Sequence, residues 1–235
     1  MKNMRKLVCL FSLLSLWMAA SVSAQSLKKQ EATMEDYLPL LQASGYQVYS
    51  FDISEFLNDT YRFSFKIKEY TNKEEMKADH SYSTFENRTM IADFPEESQK
   101  RILEKGTAAD LEKGVYSQAK KMTISFMPSK ADSIQSLRMG LDGMGMSGRG
   151  LKLKSLKDPK SDKMFYYYAS RPFVVDKFEE GKFIPLVFFA SYWVDEEYGF
   201  FRFCGANEIG ADMGKEYIES TPHYFVIGVE INKKK

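Results

Sequence analysis

The chain has 235 residues, 44% hydrophobic, 28% charged and 14% aromatic, with 33 Lys and Arg against 32 Asp and Glu. This composition is too apolar for a disordered chain, too poor in Gly and Pro for collagen or low-complexity material, and too evenly charged for a nucleic-acid binder. Two Cys exclude a disulfide scaffold or a multi-Cys zinc module, and two His leave little room for a His-based metal site.

Residues 1–24 read as a secretory signal peptide. Lys2, Arg5 and Lys6 form a basic start, residues 7–20 are apolar apart from Ser12 and Ser15, and Val22 and Ala24 are the small residues before a cleavage point at Gln25. An apolar run of about 14 residues is shorter than the roughly 20 that cross a bilayer. Cys9 does not sit where a lipoprotein cysteine must. Cleavage removes three cations and no acid, which turns the formal charge of +1 into −2. Residues 25–235 are then expected to form a single exported domain with no transmembrane anchor, in which Cys204 is the sole thiol and has no internal partner.

After a polar lead-in, Thr33 with Asp36 resembles a capping box for a short helix to Ala43, and Gly45 suits its C-terminal turn. Residues 61–68 alternate: Tyr61, Phe63, Phe65 and Ile67 face a core, while Arg62, Ser64, Lys66 and Lys68 face water. Pro95, Glu96 and Glu97 open a helix that Arg101, Lys105 and Gly106 close. Thr107 with Asp110 predicts a second short helical turn, ended by Gly114. Met122, Ile124 and Phe126 mark a strand that Pro128 stops. Beyond it Ile134, Leu137 and Leu141 have helical spacing, whereas Leu137, Met139 and Leu141 alternate, so helix and strand both stay open. Five glycines in residues 140–150 predict a mobile connection. Its G-x-G-x-x-G match, Gly143 to Gly148, lacks the preceding strand and following helix that phosphate binding needs.

From Met164 onward the sequence is dense in β signals, with 15 aromatic residues in 163–207. Residues 183–194 are apolar on both faces, with Ile184, Leu186, Phe188, Ala190 and Tyr192 against Val187, Phe189 and Trp193, as in a covered central strand. Residues 200–204 return as a hairpin, and residues 224–231 form the last strand. Strands and helices do not alternate regularly. The expected class is α+β, a mostly antiparallel sheet with a few short helices.

Most candidate chemistry has a plain structural reading. Ser26-x-x-Lys29 and Ser117-x-x-Lys120 occur as often as the Ser and Lys content alone produces, without the companion motifs of penicillin-interacting enzymes. A Cys204–His223 dyad would need direct contact, and Cys204 reads as core strand. Glu179-Glu180 and Glu196-Glu197 sit in turns, whereas a glycosidase needs two carboxyls that face a sugar from different elements. Asn58-Asp59-Thr60 and Asn87-Arg88-Thr89 match the glycosylation sequon and fit exposed turns. The aromatic surplus is the most informative feature. Tyr166-Tyr167-Tyr168 puts rings on both faces of one strand, and alternation groups Tyr166, Tyr168 and Tyr192 as candidate ligand-binding residues opposite Tyr167 and Trp193.

With its leader, its Lys177-Phe178-Glu179-Glu180-Gly181-Lys182-Phe183-Ile184-Pro185-Leu186 run and its Phe201-Arg202-Phe203-Cys204-Gly205 strand, the chain resembles exported proteins of Bacteroidota grouped as a domain of unknown function. The resemblance implies a periplasmic or outer-envelope location and carries no activity or site residues. The functional expectation is an exported, non-catalytic envelope protein that binds a ligand or an envelope partner, with no metal, organic cofactor or nucleic acid. The alternative is a carboxylate-dependent hydrolase acting on glycan or cell-wall material.

Overall fold

The computed structural model describes residues 29–76, 83–175, 177–195, 197–203, 205–210 and 215–234, with the backbone alone at 215–217. The expected signal peptide, His80, Glu196 and Cys204, and with the last the Cys204–His223 dyad, lie outside the described residues. Residues 1–39 and 40–235 form two compact units, and helix α1 (Met34–Ala43) spans their boundary.

Helix α1 starts and stops as its sequence predicts. The Asp36 carboxylate accepts the Thr33 N–H at 2.7 Å and the Thr33 hydroxyl at 3.1 Å, and these bonds hold its carboxyl below the usual range. Gly45, at φ +87°, lets the chain leave in the left-handed conformation. Its N–H meets the Gln42 carbonyl at 2.9 Å, and the Tyr46 N–H meets that of Leu41 at 3.0 Å.

The chain then runs through β1 (Gln47–Asp52), a 3-10 turn (Ser54–Asn58), β2 (Tyr61–Thr71), β3 (Glu74–Glu75), β4 (Ser83–Glu86), β5 (Arg88–Met90), α2 (Glu96–Lys105), β6 (Val115–Gln118), β7 (Lys121–Met127), β8 (Ile134–Leu141) and β9 (Gly145–Lys152). There follow β10 (Leu156–Lys157), β11 (Met164–Phe165), β12 (Tyr168–Pro172), β13 (Phe183–Ser191), β14 (Trp193–Asp195), β15 (Phe200–Arg202), α3 (Lys215–Ser220) and β16 (His223–Lys233).

Two antiparallel sheets carry the core. One has the order β1-β7-β8-β9, the other β12-β13-β16-β2-β3 with β4 also paired to β2. Phe63, Phe65 and Ile67 of β2 share a single buried cluster with Met122, Ile124 and Phe126 of β7 and Leu137, Met139 and Leu141 of β8. Each such side chain contributes about 1.5–3 kcal/mol of burial. A polar bridge also joins the sheets: the Ser170 hydroxyl of β12 bonds the Tyr49 hydroxyl of β1 at 2.8 Å and donates to the Gln47 amide oxygen. A second cluster, with Phe173, Phe188, Ala190, Ile209, Tyr224 and Val226, packs against Trp193, Phe203 and Ile218.

The expected α+β class is corrected to a sheet-rich, mostly antiparallel β fold. Helices α1 and α2 bury none of their residues and α3 has six, so among the described residues no helical layer covers a sheet. The predicted helical turn at Thr107 is also a β feature. Asp110 and Val115 exchange backbone hydrogen bonds of 3.0 and 2.7 Å around a turn closed by Gly114, because the chain must turn back into β6. Residues 134–141 resolve as strand.

The glycine-rich stretch is a hairpin arm and not a mobile connection, since every residue of β9 is registered against β8. At Gly140 the two backbones come so close that a Cβ would lie 2.1 Å from the Gly145 carbonyl oxygen. Strict alternation also fails in β13. Its pairing with β16 slips between Pro185 and Val187, so Leu186 is an extra residue. Ile184, Leu186, Val187 and Phe189 therefore join the first cluster, while Phe188 and Ala190 join the second.

Candidate functional site

The three tyrosines chosen from the sequence do converge, though not by alternation. Tyr166, Tyr167, Tyr168, Tyr192 and Phe201 line a depression of about 350 Å³. The strand breaks after β11, so Tyr166 and Tyr167 form a two-residue link to β12, and Tyr167 shares the depression it was expected to face away from. The Tyr192 N–H donates to the Tyr167 carbonyl at 2.9 Å, which fixes the link against the end of β13.

The rings form a packed group. Phe165 and Tyr167 stack with centroids 5.0 Å apart and planes 7° apart. Phe201 meets the Tyr167 ring edge-on at 5.1 Å, and Tyr192 meets it at 6.0 Å. Tyr192 packs on Phe203 at 5.0 Å, and the Arg171 guanidinium lies 5.0 Å from the Phe203 centroid. Tyr166 is still 37% exposed and Tyr167 42%.

Tyr168 has a different task. Its hydroxyl lies 2.5 Å from Nδ1 of His223, whose Nε2 lies 3.0 Å from Oε1 of Glu69. The Tyr168 oxygen also accepts the Lys154 N–H at 3.0 Å. Burial favours the assignment in which Tyr168 donates to Nδ1 and Nε2–H donates to the Glu69 carboxylate. This is the neutral imidazole. Burial pushes His223 below its ordinary value against the opposing pull of Glu69, and burial pushes the Tyr168 phenol up. His223 is 1% exposed. The relay thus joins residues of β2, β16 and β12, passing over β13 between the last two, and reaches the chain just beyond β9. Glu69 also borders a cavity of about 280 Å³ with Arg149, Lys152 and Phe225.

Sequence reasoning missed Glu69 and His223 as partners. The signal was there: Glu69 continues the core-facing phase of Phe63, Phe65 and Ile67, and His223 that of Phe225, Ile227 and Val229. A carboxylate and an imidazole in phase with two apolar faces need each other or some other partner.

The first of the two turn pairs serves structure. Glu180 accepts the Lys233 N–H at 2.7 Å, and Glu179 pairs with Lys182. Asn87 is fully buried and not in an exposed turn. Its amide oxygen accepts the Tyr61 N–H at 2.8 Å, and its nitrogen donates to the Phe56 and Asp59 carbonyls at 2.7 and 3.2 Å. The loop carrying the first sequon is pinned by the asparagine of the second. Among the described residues no three His, Cys, Asp or Glu group as metal ligands, and no helix is long and apolar enough to cross a membrane.

The fold and site define an antiparallel β protein with an aromatic surface depression beside a Glu–His–Tyr relay centred on the buried His223. The chain belongs to the family described as a domain of unknown function, DUF5041, whose model matches residues 16–233. Neither curated proteins nor solved structures give a match.

Proposed function

We propose that this chain is an exported, non-catalytic binding protein of a Bacteroidota envelope, periplasmic or outer, which engages a ligand or protein partner at the aromatic depression. The observation that carries the reading is the pair Tyr166 and Tyr167. Both are exposed, and Tyr167 is held by its ring cluster and by a backbone hydrogen bond, so little of its freedom is lost when a partner docks. The signal-like start of the chain supports export. Flat faces of this kind stack on rings with an apolar side, sugars among them. The alternative, a carboxylate hydrolase, calls for two carboxyls about 5 to 9.5 Å apart across a sugar. The cavity beside the relay is bordered by one carboxylate, Glu69.

The test is calorimetric titration of the chain from Gln25 with soluble cell-wall and surface-glycan fragments. A ligand that binds should lose about 1–3 kcal/mol in Tyr166→Ala, with the melting midpoint held. Binding that is indifferent to both Tyr166→Ala and Tyr167→Ala would overturn the assignment to this surface. Release of reducing ends from the fragments would overturn the non-catalytic reading.

A further inference from the structure

Away from the aromatic depression, a cavity of about 380 Å³ opens between the two sheets beside the 3-10 turn. Met122 of β7 forms one wall, and Leu186 of β13 with Val229 of β16 the other, all three buried in the main core. Phe56 and Phe178 stand at the mouth, edge to face at 5.0 Å, with Phe178 43% exposed. The polar residues of this lining are Ser50 and Asp52, and the Asp52 carboxylate is engaged by the Ser54 N–H at 2.8 Å. A second cavity of about 380 Å³ shares Val175 and Ile184 with the first and carries Lys177, Lys182 and Glu179. Glu179 is paired with Lys182. Asp176 lies outside the described residues.

From this arrangement we infer that the two adjoining cavities bind a single-chain amphiphile with an anionic head. The tail lies between the sheets against Met122, Leu186 and Val229, where apolar surface leaves water. The head passes Val175 and meets the cationic side chains of Lys177 and Lys182. The opposite orientation would bring an anion to Asp52. The inner volume lies at the small end of the range for ligand sites, about 300–1,000 Å³, which suits one chain and not a two-chain lipid. This site shares no residue with the aromatic depression, so either can fail without the other.

The experiment is calorimetric titration of the chain from Gln25 with dodecanoate, dodecyl phosphate and dodecyltrimethylammonium, each below its micelle concentration. Both anionic probes should bind saturably at one site, and the cationic probe at least tenfold more weakly. Preference between the two anions identifies the head as carboxylate or phosphate. Neutralising the lysines in the K177Q/K182Q double variant should weaken dodecanoate about tenfold and leave the melting midpoint and dodecanol binding unchanged. M122F, or V175W if M122F folds poorly, should weaken all chains. No saturable binding, equal affinity for the cationic probe, or a double variant that binds dodecanoate as the parent does would each overturn the proposal.

Discussion

Asn87 and His223 are polar side chains with almost no solvent contact, and each is tolerated inside because its hydrogen bonds are made. Removing the Asn87 amide strands one N–H and two carbonyls. Asn87→Ala should therefore lose about 3 kcal/mol, read as a lower urea midpoint. A loss below about 1 kcal/mol would show that the amide does not pin the turn. His223 predicts a pH effect with a defined sign. The folded chain resists protonation there, while the unfolded chain takes the proton near 6.5. Above that pH both forms are neutral and His223 adds no pH dependence. As pH falls below it the unfolded state gains the proton first, so stability drops by up to about 1.4 kcal/mol per pH unit until the folded state also titrates. The stability advantage of the parent over His223→Gln, measured by urea titration at pH 7.5 and 5, should shrink at the lower pH. A constant difference would mean that His223 is not held neutral. Tyr192 lies between Tyr167 and Phe203, so Tyr192→Ala should cost more stability than Tyr166→Ala, whose ring is on the rim. Equal melting midpoints for the two variants would count against this difference in packing.

At the scale of elements, strands whose sequence alternates cleanly were legible. Strand β2 buries Phe63, Phe65 and Ile67, and β7 buries Met122, Ile124 and Phe126, as the period-2 pattern requires. Capping was legible too, at Thr33, Gly45, Pro95 and Gly106, since it depends on local chemistry. What failed depends on a partner strand. Residues 134–141 have mixed periodicity, and pairing with β7 on one side and β9 on the other decides for strand. The extra residue at Leu186 is a property of the β13–β16 register, which has no local signature. The same limit applies to the site: the ring surplus was legible as a group, but the break after β11 that turns Tyr167 into the depression was not. The glycine-rich arm gives a direct check. Gly140→Ala should destabilise by about 3 kcal/mol, because a backbone oxygen blocks the new methyl. Gly148→Ala meets nothing closer than 3.8 Å and should be neutral or slightly stabilising. Equal tolerance at both positions, measured by chemical denaturation, would mean that the arm is a loop after all.

For residues 40–235 as a whole, the two apolar clusters share strands β13 and β16. Loosening one removes support from the other, so they should unfold together. Trp193 packs on the second cluster, and in a chain beginning at Gln25 it is the lone tryptophan. Its fluorescence and the far-ultraviolet circular dichroism should therefore share a single urea midpoint. An earlier fluorescence midpoint would show the outer layer separating first.

Strand β16 lies between β2 and β13 in its sheet, and all eleven of its residues pair with β2. It also follows both neighbours in the chain, with β2 ending at Thr71 and β16 beginning at His223. A polypeptide emerging from its amino end thus presents two sheet halves with an empty lane between them, and the lane fills only after residue 233 has appeared. Until then neither cluster has its middle strand, and the late, long-range closure is slow. Until the lane fills, the apolar edges of β2 and β13 stay open, and a holding chaperone would have to shield them.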